Sequence, residues 1–418
     1  MKRAALLLLF ACALLPARAA VLLIPMDLRQ TDHLKAYGIA YWVLTQNQKV
    51  DWMLNYRGGS FAFPWFAQGE SECVVRGVYY EILPDAQYQS ILNQIADPEV
   101  NQDVVRLEKA PKVAVYSPKN KLPWDDAVTL ALTYAEIPYD IVYDDEVLQG
   151  KLPLYDWLHL HHEDFTGQFG RFYAAYAHAP WYIEDVKSNE EIAARWGFHK
   201  VSHLKLAVAK KIREYVAGGG FMFAMCSATD SYDIALAAEG VDICEWMYDG
   251  DPADPAAQQK LDFSSCIAFH NFTLVKDPLV YEFSNIDATM SRQVPRDQDY
   301  FTLFEFSAKW DPVPTMLCQN HTQVVKGFMG QTTAFRKETV KPQVLIMGEN
   351  KAAGEARYIH SEFGNGFWTF YGGHDPEDYQ HQVGDPPTDL SLHKNSPGYR
   401  LILNNVLFPA AKKKKQKT

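Results

Sequence analysis

The sequence lacks most of the short motifs that assign a chemistry on sight. There is no Gly-x-x-x-x-Gly-Lys-Ser/Thr loop and no Gly-x-Gly-x-x-Gly turn, so the usual backbone cradles for nucleotide phosphates are missing. Gly-x-Ser-x-Gly is absent, which disfavours a serine hydrolase of the usual elbow type. Without a Cys-x-x-Cys there is no zinc ribbon or thioredoxin-type dithiol. No internal repeat is found. Positive charge is scarce: 40 Lys and Arg against 51 Asp and Glu leave a net charge of −11, which argues against nucleic acid as the main partner. The one basic concentration, Lys412–Lys415 with Lys417, reads as a solvated tail over 410–418. Beyond the first residues no apolar run is long enough to span a membrane.

What is present begins with a processing signal. Lys2 and Arg3 precede the apolar run Ala4–Leu15, and Ala17-Arg18-Ala19 is a small-x-small cleavage site. Residues 1–19 are therefore expected to direct export to the periplasm or beyond. Cleavage leaves Cys73, Cys226, Cys244, Cys266 and Cys318, an odd set that keeps at least one thiol unpaired in an oxidising compartment.

Residues 20–110 read as a β-α-β-like segment packed on the core. Val21–Met26 is a strand pattern, Leu34–Thr45 a helix capped by Asp32, Trp52–Tyr56 a strand, and Tyr88–Ile95 a short helix. The core spans 111–409. Strands are expected at Lys112–Tyr116, Tyr139–Tyr143, Asp156–Leu160 and Phe221–Met225, with helices at Asp125–Ala135 and Leu204–Val216. Insertions fall near 165–203, which is aromatic and irregular, and near 249–343, where prolines break the pattern. Val344–Met347 is another strand. Arg357–Ser361 and Gly366–Tyr371 flank a Gly364-Asn365-Gly366 turn, and Arg400–Leu407 closes the chain as a helix. Strands alternating with helices predict an α/β fold built on a mostly parallel sheet flanked by helices. Ligands then bind beyond the carboxyl ends of the strands.

Three constellations fall at such ends. Leu158–Phe165 reads Leu-His-Leu-His-His-Glu-Asp-Phe. In a strand His159 and His161 share one face and His162 takes the other, so His159, His161, His162, Glu163 and Asp164 form a candidate substrate-binding lip. Cys226 stands between a buried strand and a helix start at Ser227, where helix amides would lower its pKa, and small neighbours suit a nucleophile elbow. His374 follows Gly372-Gly373 at the end of the last strand, with Asp375 and Glu377 nearby.

The order strand–Cys226–helix followed by a late strand–His374–acid resembles the class I glutamine amidotransferase-like fold, with flavodoxin-like layers. Phe370-Tyr371-Gly372-Gly373-His374-Asp375-Pro376-Glu377 is similar to that family's His-Pro-Glu segment. The resemblance covers about Lys112–Pro409. It implies Cys226 as nucleophile, His374 as base and Glu377 as its orienting acid. The sequence departs from the family at Ala224-Met225-Cys226-Ser227-Ala228, which stands for Gly-x-Cys-x-Gly, and histidines stand where the oxyanion loop has glycines. The whole chain also looks like exported Bacteroidota proteins labelled asparagine synthetase B, through His33–Trp42, Leu54–Ser60 and His161–Gln168. That label implies ATP chemistry, but the Ser-Gly-Gly-x-Asp-Ser loop and the N-terminal catalytic cysteine it requires are missing.

Three functions follow as expectations. The first is hydrolysis of an amide or ester by Cys226 and His374, with no cofactor. The second is a non-catalytic carbohydrate- or partner-binding module that stacks ligands on Phe169, Phe172, Tyr173, Tyr176, Trp181 and Tyr182. The third is a zinc hydrolase built on His159, His161 and His374.

Overall fold

A computed structural model describes residues 20–118, 126–292, 295, 298–311, 317–378 and 385–411. The expected export signal at 1–19 and nearly all of the basic tail lie outside these residues. In chain order the strands are β1 (Ala20–Ile24), β2 (Val50–Leu54), β3 (Ser60–Pro64), β4 (Glu81–Pro84), β5 (Asp103–Leu107), β6 (Val113–Tyr116), β7 (Asp140–Val142), β8 (Trp157–Leu160), β9 (Phe221–Met225), β10 (Tyr300–Leu303), β11 (Val324–Lys326), β12 (Phe335–Arg336), β13 (Leu345–Asn350), β14 (Glu355–Phe363) and β15 (Gly366–Tyr371). They form two sheets. The smaller runs β4-β1-β3-β2-β5 and the larger β11-β10-β13-β14-β15-β9-β8-β6-β7, with β12 beside β14.

The expected mostly parallel sheet is corrected by these pairings. Among the described strands nine pairings are antiparallel. Four are parallel, joining β15, β9, β8, β6 and β7. The large sheet is therefore mixed, and in the small one every pairing is antiparallel, with β1 and β2, joined through the helix His33–Thr45, running parallel to each other on either side of β3. The reason is connection length. After the helix Ser227–Ala237 no crossover helix separates β13, β14 and β15, and strands joined by short turns pair antiparallel.

Side-chain alternation places helices on both faces of each sheet. In the small sheet Leu23, Met53, Ala62 and Leu83 pack on Tyr88, Ile91 and Ile95 of the helix Asp85–Ala96. The opposite face, with Leu22, Ile24, Trp52, Phe61 and Phe63, joins the main core around the helix His33–Thr45. That core is shared with Val113, Val115, Phe221 and Phe223 of the large sheet and with the helix Pro397–Leu407. The far face of the large sheet, including Leu158, Leu160, Met222 and Ala224, packs on the helices Val201–Ala217 and Ser227–Ala237. Buried Arg400 ties the layers together, donating to the carbonyls of Met26 (3.2 Å) and Gly58 and to the Tyr37 hydroxyl (2.9 Å). Among the described residues no helix is long and apolar enough to cross a membrane. The five cysteines are free thiols.

Candidate functional site

Three neighbouring parallel strands end side by side. Leu160 of β8 is level with Ala224 of β9, and Tyr371 of β15 with Met225. The residues that follow them are His161–Glu163, Cys226 and Gly372–His374, so the sequence-predicted groups meet on one rim with Cys226 in the centre.

Cys226 forms the strand-to-helix corner with φ 55° and ψ −142°. A non-glycine residue held there costs on the order of 1–3 kcal/mol, and such strain persists only when the surroundings impose it. Here they do. The Cys226 amide donates to the Gly373 carbonyl (3.1 Å), and the Ser227 hydroxyl donates to the His162 carbonyl (2.7 Å). These bonds clamp the corner to the strand ends on both sides. The Cys226 Sγ lies 3.3 Å from His374 Nδ1. Gly330, at φ +126°, makes room for that imidazole, because a Cβ there would stand 2.3 Å from Nδ1.

The expected low thiol pKa is corrected. Burial pushes the Cys226 thiol up to about 12, and the negative charges of Asp230 and Asp287 add to the rise. Backbone amides of Ser227 and Gln331 donate toward the sulfur and oppose it, but desolvation prevails. The side chain is only 2% exposed, whereas His374 is half-buried.

Glu377, expected to orient His374, is turned to another histidine. Its carboxylate lies 3.4 Å from His393 Nδ1. Asp375 is spent on its own turn, accepting from the amides of Glu377 (3.1 Å) and Asp378 (2.9 Å) and from the Thr388 hydroxyl (3.1 Å).

The histidine segment divides by depth. His159 is 0% exposed; its Nδ1 lies 3.1 Å from the Phe223 carbonyl and its Nε2 3.3 Å from Asp126 Oδ1. It is a core residue of the sheet, not a substrate contact. His161 Nε2 lies 3.7 Å from the same Asp126 oxygen, so the expected common face of His159 and His161 is where Asp126 sits. Asp126 was missed in the sequence. It caps the helix Ala127–Tyr134 through the Val128 amide (2.8 Å), and an acidic cap after a strand on this rim was its only signal. Burial raises its carboxyl more than any other single influence, yet His161, His159 and the hydrogen bonds together hold it below the carboxylate range.

Asp164 organises a turn. It accepts from the Thr166 amide and hydroxyl (both 2.6 Å) and from the amides of Gln168 (2.8 Å) and Gly170 (3.1 Å), which removes it from the expected substrate contacts. His162 and Glu163 remain on the rim. The His162 ring is 3.4 Å from that of His161 and 5.7 Å from that of His374, centroid to centroid. Burial, then repulsion from the other histidines, keeps His162 neutral. Burial lifts the Glu163 carboxyl to about 8. The zinc set of His159, His161 and His374 is not assembled, since His159 is turned to Asp126 and Phe223 while His374 Nδ1 faces Cys226.

Phe172 and Trp181 of the insertion roof His162 and Glu163 over a cavity of about 30 Å³. The insertion's rings pack on one another, Phe172 on Trp181 at 5.8 Å and Tyr176 on Trp181 at 5.1 Å, instead of forming an open stacking platform. A larger cavity, about 600 Å³, lies at the opposite end of the strands beside Asp156, Gly220 and Phe367, away from Cys226.

No protein-family model matches the chain, and no curated protein matches it. Among solved structures it is similar to two cytoplasmic proteins of Salmonella typhimurium at 9% and 11% identity, each match covering 72% of this chain and 100% of the other at TM-score 0.34. It is also similar to a β-galactosidase from Bacillus circulans sp. alkalophilus at 11% identity, over 68% of this chain and 31% of that one, at TM-score 0.24. Likenesses this weak say nothing of activity, and the site rests on its own geometry.

Proposed function

We propose that the protein is a cysteine-dependent hydrolase of an amide or ester, with Cys226 as nucleophile and His374 as base. The carrying observation is the 3.3 Å approach of Sγ to Nδ1 at a strained strand–helix corner. With the thiol raised to about 12, the pair works by general-base catalysis and not from a preformed thiolate. Nδ1 takes the thiol proton as sulfur attacks the carbonyl carbon. The proton passes to the departing amine or alcohol as the tetrahedral adduct collapses to a thioester. Water, deprotonated by the same imidazole, then releases the acid and regenerates the thiol. The amides of Ser227 and Gln331 already donate toward sulfur and favour its anionic form. Because Cys226 is nearly sealed, substrate entry requires a movement that exposes the sulfur. His162 and Glu163, on the neighbouring strand end, would meet the acyl or leaving group.

An activated ester tests this by intact mass and turnover. A covalent acyl adduct is expected on wild type but not on Cys226→Ala, with His374→Asn slowing turnover by about 10²–10⁴-fold. Hydrolysis by Cys226→Ala at the wild-type rate sinks the reading.

A further inference from the structure

We propose that His161, His162 and Glu163 form a binding site for a divalent transition metal of the zinc class. Each offers one donor atom, and the three donors lie within 4.8 Å of one another. All three side chains are at least nine-tenths buried. Two imidazoles and one carboxylate suit zinc and disfavour calcium or magnesium, which prefer all-oxygen shells.

The independent observation is Glu163. It is 8% exposed, and its Oε1 accepts no hydrogen bond. A buried carboxyl oxygen without a donor is costly, and a bound cation would offset that cost. The nearby cation Lys205 is already committed to Asp144 (2.9 Å) and to the hydroxyls of Tyr143 (2.9 Å) and Tyr116 (3.3 Å). A metal between the three donors would neutralise the buried Glu163 carboxylate.

Asp126 places a carboxylate beside the His161 ring. Ligating histidines commonly turn their second ring nitrogen to a carboxylate, which fixes the ring. His161 Nε2 is 3.7 Å from Asp126 Oδ1, an ionic approach beyond hydrogen-bond length. Zinc bonds of about 2.0–2.2 Å require the donors to draw together by at most about 1.5 Å. Three protein ligands leave a fourth position open, the pattern of catalytic zinc sites. The cavity of about 30 Å³ against His162 and Glu163 has room for about one water there.

The test is zinc titration of the metal-stripped full chain against a chelating indicator, with metal analysis for stoichiometry. One equivalent is expected to bind, with affinity falling more than about 100-fold in Glu163→Gln and His162→Gln and about 10-fold in Asp126→Asn. Glu163→Gln keeps size and removes charge, so it decides if a histidine variant unfolds. Asp242, Cys244 and Asp249 are a competing donor cluster, with Lys200 among the acids. Loss of zinc in Cys244→Ser with retention in Glu163→Gln overturns the proposal, as does failure to bind zinc at micromolar concentrations. The titration reads no turnover, so its failure leaves the Cys226 reading standing.

Discussion

Cys226 combines a reactive geometry with a suppressed charge. Near neutral pH a thiol raised to about 12 is thiolate in only about one molecule in 10⁵. Iodoacetamide is therefore expected to alkylate Cys226 in the native protein at least about tenfold more slowly than in urea, as read by peptide mapping. Labelling as fast as that of an unfolded thiol would mean that the thiol is neither buried nor raised. Gly330 gives a sharper probe of its partner. Gly330→Ala places a Cβ 2.3 Å from His374 Nδ1 at a φ of +126°, so the imidazole must leave the sulfur. Turnover should fall about 10²–10⁴-fold while far-ultraviolet circular dichroism stays unchanged. Full activity with a displaced ring would remove His374 as base. The sequence made this pair legible because Cys226 follows an apolar strand directly and His374 follows another after two glycines. It hid Asp126, which is remote from the histidines in sequence, and it misassigned Glu377, whose spacing fits an orienting acid but whose carboxylate turns to His393.

Elements were read well where one face is uniformly apolar. The helix Val201–Ala217 buries Leu204, Val208, Ala209, Ile212 and Val216, a helical repeat visible in the sequence. The helix Pro180–Arg195, inside the supposed irregular insertion, was not visible. Its buried positions are Tyr182, Asn189, Ile192 and Ala193, and the polar Asn189 breaks the apolar pattern. Asn189 belongs there because it donates to the Asp185 carbonyl (2.9 Å) and accepts from the Tyr143 hydroxyl (3.2 Å). The parallel-sheet reading failed for a related reason. The Gly364-Asn365-Gly366 turn announces an antiparallel hairpin, but β10 and β11, which extend that side of the sheet, come from a stretch broken by proline. The closing helix carries a buried cation that ties it to the small sheet. Arg400→Met removes the guanidinium from the Met26 and Gly58 carbonyls and from the Tyr37 hydroxyl, so unfolding free energy should fall by about 3–5 kcal/mol in urea titration. A loss under about 1 kcal/mol would mean that the guanidinium's desolvation cancels its bonds.

At the scale of the whole molecule the two sheets share one apolar core, so they are expected to unfold together. Their junction carries a titratable lock. His33, fully buried at the start of its helix, stacks on His321 with centroids 4.4 Å apart. Its ring nitrogens meet Asn395 (2.8 Å) and the Met26 carbonyl (3.0 Å). Burial, then repulsion from Arg400, lowers His33 from its ordinary 6.5 to about 4, with the hydrogen bonds opposing. The sign follows from proton uptake. Below about pH 6.5 the unfolded chain protonates this histidine while the folded chain does not, so stability falls with pH until the folded value is reached. At about pH 4.5 the loss from His33 alone is about 2–3 kcal/mol relative to pH 7. His321, lowered to about 3 by burial and by Arg400 and His33, adds a loss of the same sign. Urea midpoints of wild type and His33→Gln at both pH values isolate the first effect. The variant should be less stable near neutrality, having lost the stacked ring, but its decline on acidification should be smaller by about 2 kcal/mol. Parallel declines in the two proteins would mean that the imidazole is protonated in the folded state and that acid weakens the junction elsewhere.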